Sequence, residues 1–283
     1  MRGTLHEHLA AARRLLADAG WRADVAALDV EVLARHVLGW DRARLLASGR
    51  DPAPPDFPAR LEPLIARRLL REPVALITGR REFWGLDFEV TPATLVPRPE
   101  TEFIVEEALC WLPEDRPATV LDIGTGSGCL AVSIAQERAT ARIVATDISL
   151  DALLVARRNA AAHQVGDRVG FVCTDLAAGL GVLADVIVAN PPYVPEREAP
   201  GLPADVLRYE PSSALFAGRD GMRVLRRLFA TAPDHLAPGG VLIVEFGYGQ
   251  EDDVREAAAQ AGWRVQRMIA DLQDIPRTIV LRR

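Results

Sequence analysis

The segment VLDIGTGSGCLAVSIA, residues 120–135, decides the fold of this chain. An apolar run ends at Asp122-Ile123, three glycines follow at alternate positions, and an apolar segment with helical spacing begins directly after the third. Glycines in this pattern permit a tight turn and let a ligand approach backbone N–H groups at a helix N-terminus. The segment therefore predicts a strand, a ligand-binding turn and a helix in succession.

Around this segment, apolar strand segments alternate with helical ones. Seven strands are predicted, at residues 119–124, 142–148, 169–175, 185–190, 240–246, 263–269 and 277–283, with helices near 128–138, 150–163, 221–236 and 250–261. Strands that are apolar throughout and separated by helices are typical of a mostly parallel sheet covered on both faces. No helix separates the last two strands, so we expect one of them to run antiparallel at the end of the sheet.

The N-terminal part has a different pattern. From residue 4 to residue 71, apolar residues recur at helical spacing and predict four or five short helices, interrupted by the proline-rich segment DPAPPDFP at 51–58. The segment EFWGLDFEV, residues 82–90, alternates apolar and polar residues around a glycine and predicts a hairpin. The predicted domains are a helical domain at 1–80, a connecting β-hairpin at 81–97 and a catalytic domain at 98–283.

Bulk composition excludes several classes of protein. No run approaches the roughly 18 apolar residues that a membrane span needs, and the N-terminus resembles no secretory signal, so we expect a cytoplasmic protein without a membrane partner. The formal charge of −6 argues against direct nucleic-acid binding. The three cysteines, Cys110, Cys129 and Cys173, follow no metal-ligand spacing, so we expect reduced core residues and no metal site.

Acidic residues at two further strand ends indicate which ligand the glycine turn binds. Asp147 lies at the end of the second strand, about 20 residues beyond the turn, where it can accept hydrogen bonds from both ribose hydroxyls. Asp175 ends the third strand, where it can meet an adenine amino group. Cys129 occupies the place of the third glycine in a dinucleotide fingerprint. The pattern fits an adenosine without a pyrophosphate, of which S-adenosylmethionine is the commonest example.

The fourth strand ends abruptly in VIVANPPYV, residues 186–194, beside the predicted turn. Asn190 can offer its side-chain oxygen and Pro191 its carbonyl, two acceptors for the N–H bonds of a planar nitrogen. The prolines fix φ and bring no competing N–H groups, and Tyr193 can place its ring against the planar group. The corner therefore predicts methyl transfer to a planar nitrogen, either a side-chain amide or the amino group of a base.

Several segments together resemble the release-factor glutamine methyltransferase family (PrmC/HemK). They are EFWGLDF, LVPRPETE at 95–102, VLDIGTGSGCLAVSIA, ATDIS with the following ALLVARRNA, NPPYV, YEPSSALFAGRDG at 209–221 and VEFGYGQ at 244–250. The resemblance implies a class I S-adenosylmethionine-dependent methyltransferase, with a Rossmann-like seven-stranded sheet and a small N-terminal helical bundle. It also implies that the substrate is the glutamine of the GGQ motif in class 1 peptide-chain release factors, which becomes N5-methylglutamine as S-adenosylhomocysteine is formed.

The resemblance also implies site residues. Catalysis and substrate binding are expected from Asn190, Pro191, Pro192 and Tyr193, with Arg98, Glu100 and Thr101 lining the substrate pocket. Cofactor contacts are expected from Asp122, Gly124, Thr125, Gly126, Ser127, Gly128, Asp147, Ile148, Asp175, Leu176 and Asn190. Some relatives carry an aromatic residue directly after the acidic residue of the third strand, where this chain has Leu176, which offers adenine an apolar contact in place of an aromatic ring.

Two other functions compete with glutamine methylation. The same corner suits an amino methyltransferase that acts on a base in DNA or RNA. A non-enzymatic alternative is a cofactor-binding module whose helical domain recruits a partner, which the intact NPPY corner disfavours.

Overall fold

The computed structural model describes residues 3–283, which form two compact units. The first unit runs to Gly79 and also takes in Ala204–Tyr209. The second unit comprises Arg80–Pro203 and Glu210–Arg283. The helices of the first unit are α1 (Leu5–Asp18), α2 (Ala23–Leu38), α3 (Arg42–Ala47), α4 (Phe57–Leu69), α5 (Val74–Thr78) and, from the later segment, α9 (Ala204–Tyr209).

Local sequence signals explain the first helices of this helical unit. Thr4 and Glu7 form a capping box that begins α1, because the Thr4 hydroxyl accepts from the Glu7 N–H while the Glu7 carboxylate accepts from the Thr4 N–H. Gly39 ends α2 in the left-handed conformation, with φ of 66°. Four helices, α1 to α4, lie within the predicted range of residues 4–71, and α5 follows that range. The sequence pattern did not indicate that α9 joins them. The Tyr209 hydroxyl fastens the end of α9 by donating to the Leu70 carbonyl at 2.9 Å.

The second unit contains the predicted sheet. Its strands are β3 (Ala118–Ile123), β4 (Ala141–Asp147), β5 (Val169–Cys173), β6 (Ala184–Ala189), β7 (Leu236–Glu245), β8 (Arg264–Ala270) and β9 (Pro276–Arg282), in the order β5-β4-β3-β6-β7-β9-β8. Strands β3 to β7 are parallel, and β9 runs antiparallel to both neighbours. The sheet therefore has one antiparallel strand, as predicted, but β9 lies between β7 and β8 rather than at the edge. The chain reverses after β8, so β9 can insert beside β7.

Both faces of the sheet are buried. Along β3, Val120 packs into a core cluster with helices α6 (Glu102–Trp111) and α7 (Cys129–Glu137), while the next residue, Leu121, packs into a second cluster with α11 (Arg223–Thr231) and α12 (Glu251–Gln260). Successive strand residues point to opposite faces, so helices on both sides require strands that are apolar throughout. The remaining helices are α8 (Leu150–Ala162) and the short α10 (Ser212–Leu215).

The hairpin is present, and α6 was missed. Strands β1 (Arg80–Phe83) and β2 (Leu86–Glu89) pair antiparallel around Trp84 and Gly85, which have φ of 54° and 70°. The sequence predicted a connecting hairpin that extends to residue 97 and no helix between it and the first strand of the sheet. The helix α6 begins directly after the PRPET segment.

The cysteine prediction was wrong for two of three residues. All three thiols are free and Cys129 is buried, but Cys110 and Cys173 are exposed. Cys110 lies near the end of α6, and Cys173 is the last residue of an edge strand, so apolar neighbours in sequence did not imply burial. Among the described residues, no helix has the length and apolar character needed to cross a membrane.

Candidate active site

The glycine turn between β3 and α7 has the backbone conformation that its sequence predicts. Gly124, Gly126 and Gly128 have φ of 75°, 57° and 82°, a region that favours glycine. A Cβ on Gly124 or Gly126 would meet no atom within 4 Å, whereas one on Gly128 would lie 3.0 Å from Cβ of Ala156. The first two glycines therefore leave space for a ligand, and the third lets α7 pack closely against α8.

Asp147 holds this turn from the end of the neighbouring strand. Its Oδ2 accepts from the Gly126 N–H at 2.9 Å, and its Oδ1 accepts from the Ser149 N–H at 2.8 Å. The carboxylate is half-buried and lines the cavity above the turn. It therefore lies where the ribose was predicted to bind, with both oxygens already engaged by backbone donors.

Asp122 supports the turn from below and does not line the cavity. Its Oδ2 accepts from the Thr125 hydroxyl at 2.6 Å and from the Ala131 N–H at 3.2 Å. Full burial raises the pKa of Asp122 to about 7, and the nearby charge of Asp147 adds to this shift. Asp122 was predicted to contact the cofactor directly. In this structure it lies beneath the turn and holds the loop through these two hydrogen bonds.

At the end of β5, Asp175 already has a partner. Its Oδ2 accepts from Arg227 of α11 at 2.7 Å, and both side chains are about half exposed, at 46% and 52%. Leu176, next in the chain, has a φ of 55° and lines the cavity together with both members of the pair. Asp175 and Leu176, which the sequence predicted as cofactor contacts, thus both line the cavity. No sequence pattern indicated Arg227, which comes from another element 52 positions away.

The strand-end corner is held from behind by two distant residues. Asn190 donates from its Nδ2 to the Thr101 hydroxyl at 3.0 Å, and that hydroxyl donates to Oε2 of Glu245 at 2.7 Å. Thr101 and Glu245 are each 2% exposed, whereas Asn190 is half-buried and lines the cavity. Within residues 3–283, neither Oδ1 of Asn190 nor the Pro191 carbonyl accepts a hydrogen bond. The two predicted acceptors are thus available to a ligand.

Tyr193 occupies a different place from the one predicted. Its hydroxyl donates to Oε1 of Glu245 at 3.2 Å, and it is not among the residues that line the cavity. Burial, with Glu245 close by, raises the pKa of this phenol. Its carbonyl accepts from the Gln250 side chain at 2.9 Å, and a Cβ on Gly221 would come within 2.3 Å of that oxygen. Tyr193 is therefore held at both its hydroxyl and its carbonyl, and Gly221 packs closely against it.

Glu245 has an unusual environment for a carboxyl group. Burial raises its pKa to about 7, the hydrogen bonds from Thr101 and Tyr193 oppose that shift, and Glu100 and Arg277 act in opposite directions. The sequence indicated only that Glu245 lies at the end of a strand. That position alone does not show whether the residue has a function.

The PRPET segment contributes unequally to the cavity. Arg98 lines the cavity and donates to the buried Glu210 at 2.6 Å. Thr101, the residue directly before α6, also lines the cavity. Glu100 does not line it. The bond from Arg98 reaches the YEPSSALF segment, so two segments quoted for the family resemblance meet at this edge of the cavity.

These elements enclose one cavity of about 320 Å³, a size typical of small-molecule sites. It brings together most of the predicted residues: Arg98, Thr101, Gly124, Thr125, Gly126, Ser127, Asp147, Ile148, Asp175, Leu176, Asn190, Pro191 and Pro192. It does not include Glu100, Asp122, Gly128 or Tyr193. Residues that the sequence reading missed include Leu95, Cys129, Phe216, Arg223 and Arg227. Most of the missed residues come from segments with no strand-end signal.

Two family descriptions match separate parts of the chain. Residues 7–79 match the PrmC N-terminal domain, and residues 105–203 match the Methyltransferase small domain. Among solved structures, a methyltransferase from Pyrococcus furiosus is similar with a TM-score of 0.52 and 21% identity, covering 76% of this chain and 95% of that one. The hMettl16 catalytic domain in complex with a 3'UTR hairpin has a TM-score of 0.59 and 16% identity, covering 77% and 81%. These two likenesses show a methyltransferase fold.

Whole-chain relatives are far more similar. A release factor glutamine methyltransferase from Burkholderia pseudomallei is 44% identical over 89% of this chain and 90% of its own length. One from Koribacter versatilis is 41% identical over 90% of this chain and 91% of its own length. Because the identity extends across both units, the chain belongs to the release factor glutamine methyltransferase family.

Proposed function

We propose that this enzyme transfers a methyl group from S-adenosylmethionine to the side-chain amide nitrogen of a glutamine in a peptide-chain release factor. The specific target is the GGQ glutamine of a class 1 release factor. The observation that carries the proposal is the arrangement of Asn190, whose Nδ2 is engaged by Thr101 while its Oδ1 is available at a cavity that also contains the glycine turn. The cavity thus has a donor-binding part and an amide-binding part.

The residues present fit the cofactor. Gly124 and Gly126 leave open space where side chains would stand, and the Asp147 carboxylate lines the same space. Asp175, Ile148 and Leu176 supply a carboxylate and two apolar surfaces for the adenine end. When bound, S-adenosylmethionine supplies a methyl group activated by a positively charged sulfur. The remaining predicted cofactor contacts from Thr125 and Ser127 belong to the same loop.

The corner orients the substrate amide. Oδ1 of Asn190 and the Pro191 carbonyl can each accept one of the two amide N–H bonds, which fixes the plane of the substrate group. These acceptors also favour the positive charge that develops on nitrogen as the methyl group is transferred. Pro191 and Pro192 hold the backbone at fixed φ angles, so the two acceptors keep their separation. Tyr193 supports this corner through Glu245.

No side chain needs to remove a proton before transfer. An amide nitrogen that has gained a methyl group is strongly acidic and loses its proton afterwards. Glu245, which is linked to Asn190 through Thr101, is buried and already accepts from Thr101 and Tyr193. It is therefore placed to hold the corner rather than to act as a general base.

The domains predicted from sequence fit this division of labour. We propose that residues 1–80 form a helical domain for substrate recognition, that 81–97 connect it, and that 98–283 carry the chemistry. A release factor is a component of translation, so we place the reaction in the cytoplasm.

The test is methyl transfer with labelled S-adenosylmethionine, offered in parallel to a class 1 release factor and to total DNA and RNA. We expect label only in the release factor, at the GGQ glutamine, as located by peptide mass spectrometry. A release factor in which that glutamine is replaced by alanine serves as the matched control and should take up no label. Label in nucleic acid alone would overturn the proposal in favour of a base methyltransferase.

A further inference from the structure

Two buried residues behind the corner, Thr101 and Glu245, form a chain of hydrogen bonds that leads to the Asn190 amide. The Thr101 hydroxyl carries one proton, and it donates that proton to Oε2 of Glu245 at 2.7 Å. Toward Asn190, the Thr101 oxygen can then act only as an acceptor. The amide atom that lies 3.0 Å from it must be a donor, which is Nδ2. The carbonyl end of the amide is left for the substrate.

The direction of this chain of hydrogen bonds is set by Glu245. Its Oε1 accepts from the Tyr193 hydroxyl at 3.2 Å while its Oε2 accepts from Thr101. When ionised, the Glu245 carboxylate can only accept, so both neighbouring hydroxyls then point their protons toward it. Reversing the Asn190 amide would place its Oδ1 against the Thr101 oxygen, and two acceptors would face each other.

The three groups lie at the ends of regular secondary-structure elements. Thr101 lies directly before α6, Asn190 directly after β6, and Glu245 is the last residue of β7, which pairs with β6 in parallel. Thr101 and Glu245 are each 2% exposed, and hydrogen bonds in such a setting are both strong and costly to leave unmade. The arrangement is therefore suited to holding one orientation of a neighbouring amide.

We infer that Glu245, acting through Thr101, is a positioning residue that holds Oδ1 of Asn190 toward the glutamine amide of the substrate. This inference rests on the proposed function, because the orientation of the Asn190 amide matters only for a substrate that donates an N–H hydrogen bond to it. It gives Thr101 a role behind the pocket in addition to lining it.

The test is a double-mutant cycle between Thr101→Val and Asn190→Ala, measured as kcat and KM for methylation of the release factor. In the parent enzyme, Thr101→Val should lower kcat by at least about tenfold, because the amide loses its preferred orientation. In the Asn190→Ala background, the same valine should change kcat by less than about twofold, because no amide remains to be oriented. Equal effects in both backgrounds would overturn the inference.

Conservative variants keep the test informative if valine disturbs folding. Thr101→Ser preserves the hydroxyl and should retain most of the turnover. Glu245→Gln replaces a carboxylate that only accepts with an amide that can also donate to Thr101, so it should lower the turnover. Glu245→Met, of similar size without an acceptor, should lose turnover to the extent that Thr101→Val does. If Glu245→Gln and Glu245→Met both keep the turnover of the parent, orientation through Thr101 is not the role of Glu245.

The outcome also separates this inference from the proposed function. Parent enzyme that fails to methylate the release factor would contradict the proposed function itself. Active parent enzyme with an additive cycle would contradict only the positioning role. Cofactor affinity, measured by calorimetry for each variant, should stay within about threefold of the parent, since neither substitution removes a group from the glycine turn or its acidic neighbours.

Discussion

Thr101 and Glu245 stand 144 positions apart in the chain, and the Thr101 hydroxyl donates a 2.7 Å hydrogen bond to the Glu245 carboxylate. This bond joins the PRPET segment to the end of β7 directly behind Asn190. Two of the segments that carry the family resemblance, LVPRPETE and NPPYV, thus meet behind the cavity.

The first prediction concerns Asn190. Replacing it with alanine removes one of two acceptors for the substrate amide, so turnover should fall by at least roughly a hundredfold, the order observed when an oriented contact to a transition state is lost. Cofactor affinity should be nearly unchanged, because the glycine turn keeps its contacts with Asp147. Steady-state kinetics and calorimetry measure the two quantities. Near-normal turnover would refute the role of this side chain.

The second prediction concerns Gly126. Its φ is 57° and a Cβ there would point into open space at the cavity, so Gly126→Val should abolish measurable cofactor binding by filling that space. The matched control is Gly179→Val, because Gly179 also has a positive φ, 78°, and open surroundings but does not line the cavity. Calorimetry should detect normal binding for the control alone. Unchanged affinity in Gly126→Val would place the cofactor elsewhere.

The third prediction separates the members of the Asp175–Arg227 pair. If Asp175 receives the adenine amino group, Asp175→Ala should weaken cofactor binding by about tenfold, the loss of about 1.4 kcal/mol. Arg227→Ala should change affinity by less than about threefold, because an ion pair this exposed contributes little. Titrations with S-adenosylmethionine compare the two variants. A larger loss in Arg227→Ala would make the arginine, not the aspartate, the ligand contact.

The fourth prediction concerns the close packing of Gly221 against Tyr193. A Cβ on Gly221 would lie 2.3 Å from the Tyr193 carbonyl and 2.6 Å from Nε2 of Gln250, at a φ of +77°. Gly249 has a similar φ, +74°, with no atom within 4 Å of its Cβ position. Both alanine variants bear the same backbone strain, so the clash should cost Gly221→Ala about 1–3 kcal/mol more in the free energy of unfolding. Denaturant titration measures this difference. Equal losses would show that the backbone at Tyr193 shifts to accommodate the added Cβ.

The fifth prediction is a pH dependence of stability. The pKa of Glu245 is about 7 in the folded protein, above the value of about 4.3 for an unperturbed glutamate. Between these values the folded state binds more protons than the unfolded state, so the contribution of Glu245 to stability falls as pH rises through this window and is constant above it. From pH 4 to pH 8 the parent should lose up to about 3 kcal/mol more than Glu245→Gln. Urea titrations at both pH values measure the difference.

Several neighbours bear on that titration. Tyr193, Glu100, Arg277 and Cys129 interact electrostatically with Glu245, and Asp122 has its own pKa of about 7. All remain in Glu245→Gln, so the comparison isolates the carboxyl group. Because only the ionised carboxylate accepts from both hydroxyls, kcat/KM of the parent should rise through about pH 7, and part of this rise should be absent in the variant. Identical stability and rate profiles would contradict this assignment.

Much of the fold was determined by local sequence. Short apolar runs separated by helical segments predicted all seven strands, and the glycines after β3 predicted the turn, since these features depend on side-chain character and backbone freedom within a few residues. The places of Asp147, Asp175 and Asn190 at the cavity followed from the rule that parallel strands present their carboxyl ends at one edge.

Tertiary structure alone decided which polar groups meet. The partnership of Asn190, Thr101 and Glu245 joins residues 89 and 144 positions apart, and the Asp175–Arg227 pair depends on how α11 crosses the sheet. Whether Asp122 and Tyr193 face the cavity or support it from behind likewise depends on packing. Sequence patterns record the period of each element, but the direction of a hydrogen bond is set by burial and by neighbours that only the folded chain brings within 3 Å.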